Sequence, residues 1–315
     1  MKSAVLLAGV LAAVLPFLAG CGQGSADGSN RDAAPRTGKL KVTCTVGMIA
    51  DVAQTIGGEH VEVQALMGPG TDPHLYKSSE RDVRALSQAG VIFYNGLNLE
   101  GKMTDTFVQL ASKKRVYAMS EYVDKALLRE PPDFAGHYDP HIWFDVSLWM
   151  KGAERIRDAF NDADPAHAAD YNRNAAALLK EMGELHEWCK RELSAIPSEQ
   201  RLLITAHDAF GYFGRAYGIE VHGIQGISTE DQAGLAAIND LVDLIVKRKV
   251  KAVFVESSVS DKNIRALVEG CKSRGHIIVI GGELFSDAMG RAGEAGGTYP
   301  GMVKHNVETV VKALK

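Results

Sequence analysis

The chain has 315 residues, 46% hydrophobic and 23% charged, an ordinary globular composition that excludes a disordered or fibrous chain and predicts about two domains. Lys and Arg number 35 against 39 Asp and Glu, so the net charge is −4, and the absence of a basic block argues against a nucleic-acid partner. Four cysteines in this length exclude a disulfide scaffold.

The chain opens with Lys2, an apolar run over 4–18 and then Leu18-Ala19-Gly20-Cys21. A basic start, a short apolar stretch and small residues at its end predict a secretory signal over 1–20, rather than a spanning helix or a buried one. Leu-Ala-Gly-Cys resembles a bacterial lipobox, which makes Cys21 the expected lipidated first residue of the mature chain. Residues 21–38 are rich in Gly, Ser, Ala and Asp and suit a flexible tether. No later apolar run is long enough to span a bilayer. Cys44, Cys189 and Cys271 then remain, an odd number, so at least one is free or partnered elsewhere.

From residue 39 the pattern alternates. Strands are expected over 40–46, 60–67, 90–94 and 115–118, with helices over 48–56, 80–88 and 102–111. The same alternation returns with strands over 202–206, 219–223, 250–256 and 277–280, and helices over 209–217, 231–247, 262–273 and 303–314. Short apolar strands between helices predict parallel sheets covered on both faces, hence two α/β lobes, over 39–163 and 198–315. Between them, Asp164-Pro165 marks a helix start. Ala168, Tyr171, Ala175, Leu178, Met182, Leu185 and Cys189 then form a stripe with steps of three and four, until Pro197 stops it. Such a helix is either a coiled-coil dimer element or a rigid strut along both lobes. The unsystematic flanking charges and the Ala and Cys in the stripe favour the strut and a monomer.

Three histidines sit in related settings: Asp72-Pro73-His74-Leu75-Tyr76, Asp139-Pro140-His141-Ile142-Trp143 and Thr205-Ala206-His207-Asp208-Ala209-Phe210. Proline stiffens the presenting loop. Asp72 and Asp139 are placed to accept a proton from the far imidazole nitrogen and so fix the tautomer. His74, His207 and Asp287 each follow a strand, at the carboxyl edge where open α/β sheets bind ligands. Three neutral imidazoles and one carboxylate suit a first-row divalent ion better than Ca²⁺ or Mg²⁺. Four protein ligands leave little room for a substrate, which favours holding a metal over using it. Glu256 ends a strand and is either an outer partner or a buried carboxylate at a helix start, and Glu283 has the same ambiguity. His137 lies four residues before His141. The other histidines lack the Asp-Pro setting. Gly281-Gly282 and Gly296-Gly297 lack phosphate-loop spacing, and no Gly-x-Ser-x-Gly is present.

Together with Phe144-Asp145, Gly211-Tyr212-Phe213 and Gly282-Glu283-Leu284-Phe285-Ser286-Asp287-Ala288-Met289, these motifs resemble the metal-binding proteins of zinc/manganese ABC importers, closest to the TroA type. The resemblance runs from about residue 40 to the end. It implies two lobes of parallel sheet joined by one long helix (164–197 here), with one Zn²⁺ or Mn²⁺ ion in the cleft. It further implies His74 and His141 as ligands from the first lobe, and His207 and Asp287 from the second. An extracytoplasmic, membrane-anchored protein feeding an ABC permease and its ATPase follows. Two departures bear on the metal. The loop 121–138 holds only His137, where zinc-dedicated members often carry a His/Asp-rich stretch, and His207 stands where manganese-dedicated members often have Glu. The competing readings are a zinc metallohydrolase, for which no His-Glu-x-x-His helix is present, and a surface adhesin.

Overall fold

The computed structural model describes residues 38–230 and 234–315, so the expected signal, Cys21 and all but the last residue of the tether lie outside the described residues. In the first lobe, β1 (Leu40–Cys44), α1 (Gly47–Gly57), β2 (Val61–Ala65), α2 (Glu80–Gln88), β3 (Val91–Tyr94), α3 (Thr104–Ala111) and β4 (Arg115–Ala118) alternate as the sequence predicts. The strands form one parallel sheet in the order β2-β1-β3-β4, with Val42 opposite both Val63 and Val91. β3 (Val91–Tyr94) is apolar without alternation because helices cover both faces of the sheet, whereas β1 alternates in polarity and exposes only Lys41.

A helix that the sequence pattern did not single out follows. α4 (Val146–Ala163) starts at Asp145, whose carboxylate accepts the Ser147 N–H. It buries Leu148, Trp149, Ala153, Ile156, Ala159 and Phe160. The linking helix comes next, shorter than 164–196. Residues Pro165–His167 form a 3₁₀ turn, and α5 (Ala168–Ser194) runs 27 residues, about 40 Å. Asp164 is not the backbone cap expected of it, because its carboxylate takes the His167 Nδ1 and Tyr171 hydroxyl protons instead. The predicted stripe from Tyr171 to Cys189 is buried within this chain: α5 packs on α1 and α4 of the first lobe and, in the second lobe introduced below, on the helices over 211–217 and 299–314.

The second lobe comprises β5 (Leu202–His207), α6 (Gly211–Tyr217), β6 (Glu220–Gln225), α7 (Leu235–Arg248), β7 (Ala252–Glu256), α8 (Lys262–Ser273), β8 (Val279–Leu284) and α9 (Tyr299–Leu314). The strands form two parallel pairs, β5-β6 and β7-β8, with β5 beside β7. The last strand lies further along the chain than the expected 277–280. Ile277, Val279 and Ile280 are exposed, so the apolar run misleads. The strand continues through Gly281 because α9 lies directly on it: a Cβ there would stand 2.6 Å from the Ala313 Cβ. One hydrophobic cluster runs from β1 and α1 through α4 and α5 into α6 and α9, joining both lobes, and a second lies between β5, β7, α7 and α8. No helix among the described residues is long and apolar enough to cross a membrane.

Candidate metal centre

The carboxyl ends of the strands point their loops at one place. His207 is the last residue of β5, and Asp287 lies just past β8. His74 lies in the loop from β2 to α2, and His141 leads a 3₁₀ turn (Ile142–Phe144) into α4. These four side chains meet, with residue exposures of 3% or less, and one donor atom from each lies within 4.8 Å of the others. His74 Nε2 is 3.4 Å from His141 Nε2 and 3.6 Å from Asp287 Oδ2. His141 Nε2 is 3.4 Å from Asp287 Oδ1, and His207 Nε2 is 3.2 Å from Asp287 Oδ2. Donors around a tetrahedral ion with bonds of about 2.1 Å stand about 3.4 Å apart, so the spacing suits such an ion.

The loops are anchored by buried polar contacts. Asp139 accepts both the backbone N–H (3.0 Å) and the ring Nδ1–H (2.8 Å) of His141, which turns the Nε2 lone pair towards the centre. Glu256 does the same for His207, taking its backbone N–H at 2.8 Å and its ring Nδ1–H. The expectation for Asp72 needs correction. Its Oδ1 accepts the backbone N–H of His74 (2.9 Å), not a ring proton, and its Oδ2 is taken by the Thr229 hydroxyl of the second lobe.

Three supporting residues lie outside the motifs. Glu100 is buried and accepts the Asn95 N–H (2.8 Å) and the Thr45 hydroxyl (2.6 Å), tying the ends of β3 and β1 together. Asn95 Nδ2–H donates to the Pro140 carbonyl at 2.9 Å, next to His141. Arg129 Nη1–H donates to the second oxygen of Asp139. Polar residues just after an apolar strand were the available signal for Asn95 and Glu100. Nothing local marks Arg129. Contacts between lobes close the frame: Trp143 Nε1–H to the Ser286 carbonyl (3.1 Å), Tyr212 OH to the Asp139 carbonyl (3.0 Å) and Tyr299 OH to the Trp143 carbonyl (2.8 Å).

Burial pushes the His74 imidazole down to about 3, against the pull of Asp287 and with help from the neighbouring imidazoles. Burial also acts to lower His207, but the Glu256 and Asp287 carboxylates outweigh it and raise it well above the usual value. Asp287 is lowered: the three imidazoles, His207 foremost, overcome the burial that would raise it. Asp287 Oδ1 and Oδ2 and His207 Nε2 are nonetheless buried without a hydrogen-bond partner among the described residues. Such orphaned polar atoms are costly unless something binds them.

The other candidates lie elsewhere. His137 is not in the cluster; it lines a polar cavity of about 240 Å³ over His74, with Asn98, Phe134 and Glu230. Glu283 is exposed, and its carbonyl accepts from His305. His60 stacks on His167, His186 meets the Tyr217 hydroxyl, His222 meets Glu220, and His276 meets the Val250 carbonyl. Cys44, Cys189 and Cys271 are all free and buried.

Residues 42–313 match the family described as ZnuA, zinc-uptake complex component A, periplasmic. The manganese-binding lipoprotein MntA of Bacillus subtilis (strain 168) is 46% identical over 310 residues, covering 98% of this chain and 99% of its own. The zinc-binding protein TroA of Treponema pallidum (strain Nichols) is 44% identical over 287 residues, 90% of this chain and 92% of its own. The solved structure of the periplasmic zinc-binding protein TroA from Treponema pallidum superposes with a TM-score of 0.86 at 43% identity, covering 88% of this chain and 99% of that one.

Proposed function

The chain belongs to the ZnuA family of periplasmic zinc-uptake components, and from that premise we propose that it captures one divalent transition-metal ion between its lobes and delivers it to an ABC permease and its ATPase. The family is one of uptake components, not enzymes, and neither the metallohydrolase nor the adhesin alternative finds support in it. The ligands are His74, His141, His207 and Asp287. The observation that carries this reading is the convergence of four buried side chains at ligand spacing, three atoms of which lack a hydrogen-bond partner among the described residues. Asp139 and Glu256 orient two of the imidazoles, and Asp72 holds the main chain of His74.

The ion is Zn²⁺ or Mn²⁺, the metals named for TroA and MntA. Three nitrogens and one carboxylate favour Zn²⁺ on intrinsic affinity. The protein acts outside the cytoplasm as a monomer, with domain limits at 39–163, 164–197 and 198–315. A lipid on Cys21 and the tether over 21–38 hold it at the membrane. Elemental analysis of protein taken from its native compartment, followed by competition between Zn²⁺ and Mn²⁺, tests the capture. One equivalent of metal is expected, and a metal-free protein with no affinity for either ion would overturn it. Cys21→Ser is expected to release the protein into the soluble fraction; retention on washed membranes would remove the anchor from the reading.

A further inference from the structure

The imidazoles of His141 and His207 lean on carboxylates whose surroundings differ. Glu256 is buried, meets His207 through both oxygens and pairs with no lysine or arginine among the described residues. Asp139 is equally buried, but its second oxygen is taken by the Arg129 guanidinium. That guanidinium is held in a built slot. The Arg129 N–H donates to the Tyr212 hydroxyl (3.0 Å), which in turn donates to the Asp139 carbonyl, and the Asp139 N–H returns to the Arg129 carbonyl (2.9 Å). Gly211, at the start of α6, leaves the space the guanidinium fills: a Cβ there would stand 1.2 Å from Arg129 Nη1. The Asp208 carboxylate also faces Arg129 and Asp139.

We infer that Arg129 is a positioning residue that holds the metal affinity of the centre below what its ligands alone would give, and so favours release to the permease. This rests on the metal-capture reading above. An anionic carboxylate behind an imidazole strengthens it as a ligand. A permanent positive charge on that carboxylate withdraws part of this support, and it also repels the dication, more weakly because a quarter of the Arg129 side chain is exposed. Both effects have the same sign. Arg129 reaches the ligand only through Asp139, so it acts on strength and orientation without touching the ion.

The sign separates this role from a merely structural one. In Arg129→Gln the charge is lost and affinity for Zn²⁺ is expected to rise roughly tenfold, mostly through slower release. Arg129→Lys keeps the charge and returns affinity towards that of the parent. Gly211→Ala drives the guanidinium from its slot without changing composition at Arg129, and is expected to tighten binding by a smaller factor. Chelator competition gives the affinity and stopped-flow chelation gives the release rate. A brace for the loop would loosen the site on removal, so an Arg129→Gln protein that binds Zn²⁺ no better than the parent overturns the inference. Should that variant not fold, Gly211→Ala decides on the same criterion. Asp287→Ala measured alongside separates the two levels. If it still binds Zn²⁺ fully, the metal-centre reading fails; if it loses binding while neither other variant gains, only the role of Arg129 fails.

Discussion

The two sides of the centre solve one problem differently. On the first-lobe side, His74 and His141 stand on loops and are oriented through carboxylates that are shared, Asp72 with Thr229 and Asp139 with Arg129. On the second-lobe side, His207 ends a buried strand, and Glu256, at the end of the neighbouring strand β7, grips it twice. The second lobe therefore holds most of the unshared negative charge, Glu256 and Asp287, around a single imidazole. The comparison teaches that three identical side chains need not be equivalent: burial drives His74 towards its neutral form, while the Glu256 and Asp287 carboxylates draw His207 towards its protonated form.

The largest effect expected is for Asp287→Ala. It removes the anion that all three imidazoles face, and the loss of Zn²⁺ affinity is expected to exceed the ~100-fold that bounds outer partners. The metal-dependent rise in melting temperature should vanish with it, a stabilisation of about 2.7 kcal/mol when metal stands at about 100 times Kd. Calorimetric titration and thermal unfolding report both. An Asp287→Ala protein that still melts later with metal would dissolve the distinction between the two sides.

Next come the carboxylates themselves. Glu256→Gln is expected to weaken Zn²⁺ binding by about 10–100-fold, whereas Asp139→Asn costs only a few-fold because Arg129 already neutralises that group. Equal losses in the two variants would show that Arg129 makes no difference between the sides.

The pH dependence follows from the same division. Burial acts to lower His207, but the Glu256 and Asp287 carboxylates raise it on balance, which favours the protonated imidazole whose proton metal must displace. His74, at about 3, has none to give. Affinity should therefore rise with pH above the ordinary histidine value of about 6.5, as far as the raised folded value of His207, which gives up its proton as the ion binds. The metal-free fold should move the other way. A raised histidine contributes stability that is fully present below its unfolded value of about 6.5 and is lost as pH rises through the folded value. Proton release measured in buffers of different ionisation enthalpy checks the first, and denaturant melts across pH the second. Two protons per ion would mean that a first-lobe imidazole is also charged.

The smallest effect concerns the frame of the first lobe. Asp82 and Ser79 form a capping box at α2, and Asp82 also takes the Tyr76 hydroxyl proton at 2.7 Å, two residues from His74. Burial acts to raise the Asp82 carboxyl, but the Ser79 N–H and the Tyr76 and Ser79 hydroxyls lower it on balance. Its contribution is present above an unfolded value of about 3.9 and is lost as acid takes pH through the lower folded value. Asp82→Asn should cost about 1 kcal/mol in urea unfolding at pH 7 while leaving Zn²⁺ affinity nearly unchanged. A large loss of affinity instead would tie the α2 cap to the ligand loop.

Much of this was legible in the chain because strand and helix periods differ and because the Asp-Pro-His loops repeat. The strands of the first lobe appear close to their predicted positions: β3 is an unbroken apolar run, and β1 and β2 place an apolar residue at every second position. α4 was missed although Asp145 and the spacing of Leu148, Ala153, Ile156 and Phe160 carry its signal, because the aromatic His141 loop runs straight into it. The strand at 277–280 was displaced because Ile277 and Val279 are apolar yet exposed, and two glycines conceal where the sheet continues. The spacing pointed to Asp139 as the support of His141, but the same spacing at Asp72 misled, since that carboxylate meets the His74 main chain and not its ring. The pairing of Asp139 with Arg129, ten residues away, and the Thr229–Asp72 contact, 157 residues apart, depend on how the loops fold back, which no local pattern records.

The hydrophobic cluster that passes from β1 through α5 into α9 has a consequence for how the protein comes apart. A lobe cut out at residue 163 or 198 would expose the α5-facing side of α1 and α4, or of α6 and α9, and neither half keeps an interior of its own on that side. The unfolding unit therefore spans both lobes, and slow amide exchange should reach a common ceiling in β1 and in α9 rather than two separate ones. In that sense the ion need not assemble two bodies. On that expectation, the free energy of an ion bound at the proposed centre is added to a single unfolding unit.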